Sequence, residues 1–415
     1  MAIQKKVLNN QLVLISEPIA TVKTVAIGFW FNVGSRFEDD KNRGVSHFVE
    51  HMLFKGTSDK NAYDIACCFD RIGGYINAFT ERDVTCLHAT VPAKHFEYAL
   101  NILCSMVTDS TFLSEDLERE RKVIESEIIT SKDDPEEAAF DELYAVLWPD
   151  QRLSQPIAGT VEQVHAIKRE TIFEWYQRFF ANGELVVSIS GLFEVNKAAE
   201  ILQKLPLRQK NNHKLENLKW QKGNFCIKAP FLQNQLFAAF PLPKLSPVEY
   251  QKLTVLNAII GDTMSSRLFQ RLREQNGFCY TVYSFFTVFE DTAFWCAYTS
   301  VAKKNTRIAA KELNAELQNL KNNGVSQDEI NAAKEHICGE EIISSEDVES
   351  RMKRLARLYF MNFDLCTFEE YCEQINSLQA KELNEELSKM LDFSNQARII
   401  YGGRFDWKKL EKYSN

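Results

Sequence analysis

Between Asn42 and Gly56 the apolar residues Val45, Phe48, Val49, Met52 and Leu53 fall at i, i+3, i+4, i+7 and i+8. That spacing predicts one helix with a single apolar stripe, and Gly56 is placed to end it. Two strand-like runs precede it, residues 11–15 and 25–31. After it, residues 62–72 read as a helix stopped at Gly73-Gly74. Residues 75–80 and 84–91 read as a hairpin turned by Glu81-Arg82-Asp83. Helical periodicity returns over 93–108 and 115–132. It resumes over 138–147, beyond the acidic stretch 133–137, and again over 169–180, before a strand at 185–191.

The second half of the chain repeats this order. Residues 236–240 answer the strand at 25–29. A helix over 253–272, a hairpin over 280–300 and helices over 306–322 and 327–344 follow, and the strand 397–402 answers 186–191. The offset is steady: Gly191 and Gly402 are 211 apart, Ser114 and Ser326 are 212 apart. A period of that length marks a duplicated domain, being far too long for a solenoid unit. The polar stretch 208–214 has the composition of a linker.

Composition agrees with two soluble domains: 415 residues, 45% apolar and 26% charged. No apolar run approaches the roughly 18 residues of a membrane span. The first ten residues carry no apolar signal core, so a cytoplasmic protein without membrane insertion is expected. A net charge of -8 speaks against nucleic-acid partners. The ten cysteines include no C-x-x-C pair and lie mostly in apolar contexts, which suggests buried free thiols rather than a disulfide framework.

The polar side of the first helix carries the chemistry. His47, Glu50 and His51 lie within about 100° of one another at roughly 3.6 residues per turn. Two imidazoles at i and i+4 can grip one metal ion, and Glu50 can lie beside it to take a proton from water. The bland alternative is the wet face of an amphipathic helix, but histidine is scarce here, seven in the whole chain. Shifted by one repeat, the motif lands on Ile259-Ile260-Gly261-Asp262-Thr263, so only the first copy carries it. A tetrahedral zinc needs one more protein ligand besides water. In the helix over 115–132, Glu120 and Glu127 share a face, and local sequence leaves the choice between them open.

The run His47-Phe48-Val49-Glu50-His51, with Glu127 after 75 intervening residues in the segment 118–128, resembles the pitrilysin/insulinase (inverzincin) family of zinc peptidases. Bacterial members like the mitochondrial processing peptidase are the nearest in kind. The resemblance covers nearly the whole chain. It implies His47, His51 and Glu127 as Zn2+ ligands, Glu50 as general base and Glu120 as a second acid near the site. Residues 73–80 resemble the family's edge strand, on which substrate backbone adds, implying Asn77, Ala78 and Phe79 as substrate-binding. Residues 265–280 resemble the segment that offers an arginine and a tyrosine to substrate, by position Arg273 and Tyr280.

The expected fold is α+β: two homologous domains, each a mostly antiparallel sheet with helices packed on one face. Residues 1–207 form the zinc-binding peptidase domain, 208–222 a linker, and 223–415 an inactive domain supplying Arg273 and Tyr280. The expected function is zinc-dependent endopeptidase action on peptides or unfolded segments in an enclosed chamber. The alternative is a non-catalytic or partner-dependent subunit of a heterodimeric processing peptidase. In family members that fuse two such halves, the metal half faces the arginine-tyrosine domain of the other. A homodimer is therefore expected here, with a heterodimer or a monomer as alternatives.

Overall fold

The computed structural model describes residues 3–211 and 213–407. In chain order the elements are β1 (Gln4–Val7), β2 (Val13–Pro18), β3 (Thr24–Phe31), α1 (Val45–Leu53), α2 (Ala62–Asp70), β4 (Tyr75–Thr80) and β5 (Thr85–Pro92). Next come α3 (Phe96–Thr108), α4 (Ser114–Asp133), α5 (Pro135–Leu147), α6 (Val161–Ala166), α7 (Arg169–Trp175), β6 (Leu185–Gly191) and α8 (Val195–Leu202). The second half holds β7 (Gly223–Lys228), β8 (Gln233–Pro243), α9 (Pro247–Asn257), β9 (Cys279–Val288), β10 (Thr292–Ala302) and α10 (Thr306–Asn323). It closes with α11 (Gln327–Ser345), α12 (Val348–Phe360), α13 (Phe368–Ser377), α14 (Ala380–Met390) and β11 (Ala397–Gly402).

The duplication is visible in the strand order. One sheet runs β1-β2-β6-β3-β5-β4, the other β7-β11-β8-β10-β9. From β2 onward the first matches the second strand for strand. Each sheet has one parallel pair, β2 with β6 and β7 with β11, and is otherwise antiparallel. Both sheets therefore have the mostly antiparallel character read from the pattern.

The chain divides into two units, and the division departs from the contiguous spans 1–207 and 223–415. The first unit takes in residues up to Ser131, Gln151–Glu216 and Ser344–Cys366; the second takes in Lys132–Asp150, Asn217–Ile343 and Thr367 onward. Each unit thus holds one helix from the other half of the sequence: α12 lies in the first and α5 in the second. These two are themselves a repeat pair, since Pro135 and Val348 are 213 apart. The stretch expected as a linker is also partly built in. Arg208 is buried and donates to the carbonyls of Phe180 and Ala181.

The physical reason for the exchange lies in the strands. β3 is buried on both sides. Ile27, Phe29 and Phe31 point into the core shared with α1, α3 and α4, while Ala26 and Trp30 point the other way, onto Val348, Met352, Leu355 and Ala356 of α12. A sheet with two apolar faces needs cover on both. The main helical layer covers one face and the exchanged helix adds cover on the second. In the second unit Phe140 of α5 packs within 5.6 Å of Phe237, Phe285 and Tyr298, and Glu136 accepts from the Tyr283 hydroxyl at 2.7 Å.

The helix expected over 253–272 is interrupted. α9 widens into a π turn over Ala258–Asp262, breaks at Thr263 in extended backbone, and a further turn forms over Phe269–Glu274. Asp262-Thr263-Met264-Ser265-Ser266 is rich in side chains that compete for backbone hydrogen bonds, and the Ser266 N–H donates to Thr263 O at 3.1 Å. All ten cysteines are free thiols, but only Cys86, Cys104, Cys296 and Cys366 are buried.

Gly28 is where α12 approaches the sheet. A Cβ there would lie 2.3 Å from Met352 Sδ and 2.6 Å from Trp30 Nε1. The methionine can swing away; the indole is held by its 2.8 Å bond to Ser188 Oγ. Gly28→Ala is therefore expected to destabilise the protein by about 1–3 kcal/mol, as overpacking does, measured by urea unfolding. Wild-type stability in that variant would mean that α12 is docked more loosely than these distances require.

Candidate metal centre

The site is assembled from two helices and one strand of the first unit. α1 presses Val45, Phe48, Val49, Met52 and Leu53, all without solvent exposure, into the core. α4 joins the same core through Leu117, Ile124 and Ile128. With both stripes buried, the polar sides of the two helices meet.

They bring His47, His51 and Glu127 together, with one ligand atom from each within 4.8 Å of the others. His47 Nε2 stands 3.5 Å from Glu127 Oε1, and His51 Nε2 stands 3.4 Å from Glu127 Oε2. Donors about 2.1 Å from a tetrahedral ion lie about 3.4 Å apart, and each imidazole stands at about that distance from one of the two Glu127 oxygens. The donor set, two imidazole nitrogens and a carboxylate, also suits zinc. Glu120 and Glu127, equivalent by local spacing, take different places in the fold. Glu127 reaches both Nε2 atoms, whereas Glu120 Oε2 lies 3.1 Å from His51 Nδ1. Glu120 Oε1 is paired with Lys55 Nζ at 2.7 Å. Glu120 thereby accepts from His51 Nδ1–H, which would leave Nε2 as the atom to face a metal once it gives up its proton.

The electrostatics follow from this crowding. Hydrogen bonds from His47 and His51 hold the Glu127 carboxyl well below the usual range. Burial opposes charge on His51, but Glu120, Glu127 and Glu50 together outweigh it and push its pKa up to about 9 in the metal-free protein. Burial lifts the Glu50 carboxyl above its ordinary value, against the pull of His47 and a hydrogen bond from Thr80. That bond, Thr80 Oγ1 to Glu50 Oε2 at 2.5 Å, ties the end of β4 to α1.

β4 is an edge strand, paired among the described residues only with β5. Of the expected substrate-binding residues, Ala78 lies on the α1 side with Ile76 and Thr80. Asn77 and Phe79 face the other way. Phe79 packs edge-on against Trp30 at 5.6 Å, and the Asn77 side-chain oxygen accepts from the Ala78 N–H at 2.9 Å. Arg273 and Tyr280 belong to the second unit and form a pair there. The guanidinium sits 4.7 Å from the centre of the Tyr280 ring and donates to Tyr280 O at 3.1 Å, and Tyr280 as a residue is 78% exposed.

Thr80, Lys55 and Glu38 were not singled out by sequence. Lys55 is one turn beyond His51 and Thr80 ends the resembling strand, so each had a weak signal. Glu38 had none. It is wholly buried and accepts from the N–H groups of Gly44 and Ser46 at 2.7 and 2.8 Å, at the start of α1. Burial pushes its carboxyl up to about 7 in spite of those bonds.

Residues 13–161 match the family model for insulinase, peptidase family M16, and residues 166–337 match the model for the peptidase M16 inactive domain. An uncharacterized zinc protease of Bacillus subtilis, YmxG, is 30% identical over 384 residues, covering 92% of this chain and 94% of that protein. The chain belongs to the insulinase family, peptidase family M16. An uncharacterized zinc protease of Rickettsia felis is 29% identical over 396 residues, covering 95% of this family member and 96% of that one. The crystal structure of a peptidase M16 inactive domain from Pseudomonas fluorescens shares the fold, with a TM-score of 0.90 at 20% identity, covering 98% and 99% of the two chains. The histidine motif lies inside the first family match. Ile259–Thr263, its counterpart without histidine or glutamate, lies inside the inactive-domain match. Among the described residues no helix is long and apolar enough to cross a membrane.

The two acids of α4 should separate on dialysis against a weak chelator. Glu127→Gln is expected to lose most bound zinc. Glu120→Gln should retain more, with affinity down about 10–100-fold, as for residues that orient a ligand. Metal analysis of both dialysed proteins gives the ranking, and the opposite order would exchange the two assignments.

Proposed function

We propose that the protein is a zinc-dependent endopeptidase that hydrolyses peptides or unfolded segments within an enclosed chamber. The observation that carries this reading is the triangle of His47, His51 and Glu127 with Glu50 beside it, next to the open edge of β4. The relatives named zinc proteases support it. His47, His51 and Glu127 would hold the ion. When bound, zinc supplies a Lewis acid that polarises a carbonyl and acidifies water.

The chain's own groups do the rest. Glu50 takes a proton from the attacking water and returns it to the leaving amine. Thr80 holds the Glu50 carboxylate in place, and Glu120 holds the His51 ring. A substrate backbone adds to β4 along Asn77, Ala78 and Phe79 as one more antiparallel strand. Arg273 and Tyr280 are donors for the oxygen on which charge develops. The same reading extends to assembly as a two-fold homodimer, in which the metal unit of one copy meets the Arg273–Tyr280 pair of the other. Against a non-catalytic subunit stands the presence of both residue sets in one chain.

Glu50→Gln should keep stoichiometric zinc and lose peptide hydrolysis by about 10²–10⁴-fold, the usual share of a proton-transferring group. Thr80→Val should keep zinc and KM while kcat falls roughly tenfold, and Thr80→Ser should restore most of it. The assay is cleavage of a quenched mixed-peptide library with and without chelator. Near-normal turnover by the Glu50→Gln protein would remove Glu50 from the mechanism.

The dimer is tested by complementation. Glu50→Gln and Arg273→Ala, each nearly inactive alone, are co-refolded. A mixed dimer would have one of its two sites intact and should regain about half the wild-type activity per dimer. If a verified mixed dimer stays inactive, each chain uses its own arginine.

A further inference from the structure

The start of α1 lacks the side chain that normally caps a helix. Its N-cap position is Gly44, at φ 86° and ψ 1°, and no side chain of its own satisfies the first N–H groups. A serine, threonine or aspartate cannot stand there. A Cβ would lie 2.5 Å from the carbonyl oxygen of Ala158, and the backbone is in the left-handed region. The motif helix is pressed against another stretch of chain at the point where it needs a cap.

Glu38 supplies one from outside. Its backbone lies six residues before Gly44, just past the short turn Ser35–Phe37. Its two carboxylate oxygens are divided between two donors: Oε2 accepts from the Gly44 N–H at 2.7 Å and Oε1 from the Ser46 N–H at 2.8 Å. The side chain has no solvent exposure. The buried Arg43 guanidinium donates to the Glu38 carbonyl at 3.1 Å, and so closes the loop on itself. Ser46 is further held by Trp175, whose indole N–H donates to its hydroxyl at 3.1 Å. The next residue is His47. α1 has only nine residues, and a two-point grip on its first turn restrains, together with its buried apolar face, how far the helix turns about its axis. That rotation decides where the imidazoles at 47 and 51 point.

We propose that Glu38 is a positioning residue for the metal centre: by gripping the Gly44 and Ser46 N–H groups it fixes α1 in the rotation at which His47 and His51 converge with Glu127. The proposal rests on the reading of that triangle as a zinc site. The expected consequence is on metal affinity itself, and it is larger than the loss of an ordinary helix cap would cause. Residues that orient ligands without touching the metal are worth about 10–100-fold in affinity.

The test is zinc affinity of the full chain, measured by competition with a chromogenic chelator, beside thermal unfolding of the metal-free protein. Glu38→Gln keeps the volume but turns an amide NH2 toward a backbone N–H. It should bind zinc about 10–100-fold more weakly. Ser246→Ala is the control. It removes the hydroxyl that accepts from the Glu249 N–H at the start of α9, and should lower stability with zinc affinity unchanged. Glu38→Asp keeps a carboxyl with two accepting oxygens on a shorter arm and should show a smaller loss than Glu38→Gln. Wild-type affinity in Glu38→Gln overturns the proposal. If Glu38→Gln does not fold and Glu38→Asp binds zinc as the wild type does, Glu38 serves folding alone and the proposal also falls. A wild-type chain that binds zinc no better than His47→Ala would instead overturn the zinc reading, and is recognisable as that.

Discussion

The site depends on the burial of one helix. α1 places five apolar side chains in the core with no exposure. Such burial contributes about 1.5–3 kcal/mol per side chain, an upper estimate because the unfolded chain is already partly collapsed. That helix face brings two imidazoles and Glu50 up to Glu120 and Glu127. Three carboxylates so close repel one another; the histidines and Lys55 pair with Glu120 and Glu127, and Thr80 donates to Glu50. Apolar packing on one side of α1 thus holds together a group of charges that would disperse in water.

The edge strand shows the same economy. β4 is held from the α1 side by the Thr80–Glu50 bond, and from the other side by Glu349 of α12, which accepts from the Tyr75 hydroxyl. Glu349 also accepts from Thr90 on the neighbouring β5 at 3.1 Å and pairs with Lys353 at 2.8 Å. Both faces of β4 are therefore anchored and its outer backbone edge is left for another strand. The exchanged helix contributes to the site at second hand, by fixing the strand next to it. Glu17 and Arg351, paired at 2.6 Å, pin the same helix to β2.

The second copy of the fold keeps the strand order and lacks the donors at the equivalent place. Where the first unit has its motif, the second has Ile259-Ile260-Gly261-Asp262-Thr263, with Ile259, Ile260 and Gly261 buried. A Cβ on Gly261 would stand 2.6 Å from the backbone nitrogen of Ser284. Gly261 is the counterpart of the core residue Val49, whereas Asp262 and Thr263, the counterparts of Glu50 and His51, stand outside the core and offer no imidazole.

Sequence by itself determined the elements and the donor types. Period-3.6 and period-2 patterns gave α1, α3, α4 and the central strands, and the offset near 212 gave the duplication, because these are properties of short windows and of self-comparison. The H-x-x-E-H spacing gave the imidazole pair, since residues four apart on a helix are neighbours wherever the helix lies. Tertiary structure decided what distance along the chain conceals. Glu127 and Glu120 are equivalent on their own helix, and only the fold gives Glu127 both histidine Nε2 atoms and Glu120 the far side of His51 with Lys55. The exchange of α5 and α12 is hidden because an amphipathic helix does not record which sheet it covers. Glu38 is hidden for the same kind of reason. A carboxylate that caps a helix from a loop has no fixed spacing to it, and only the fold sets the distance between them.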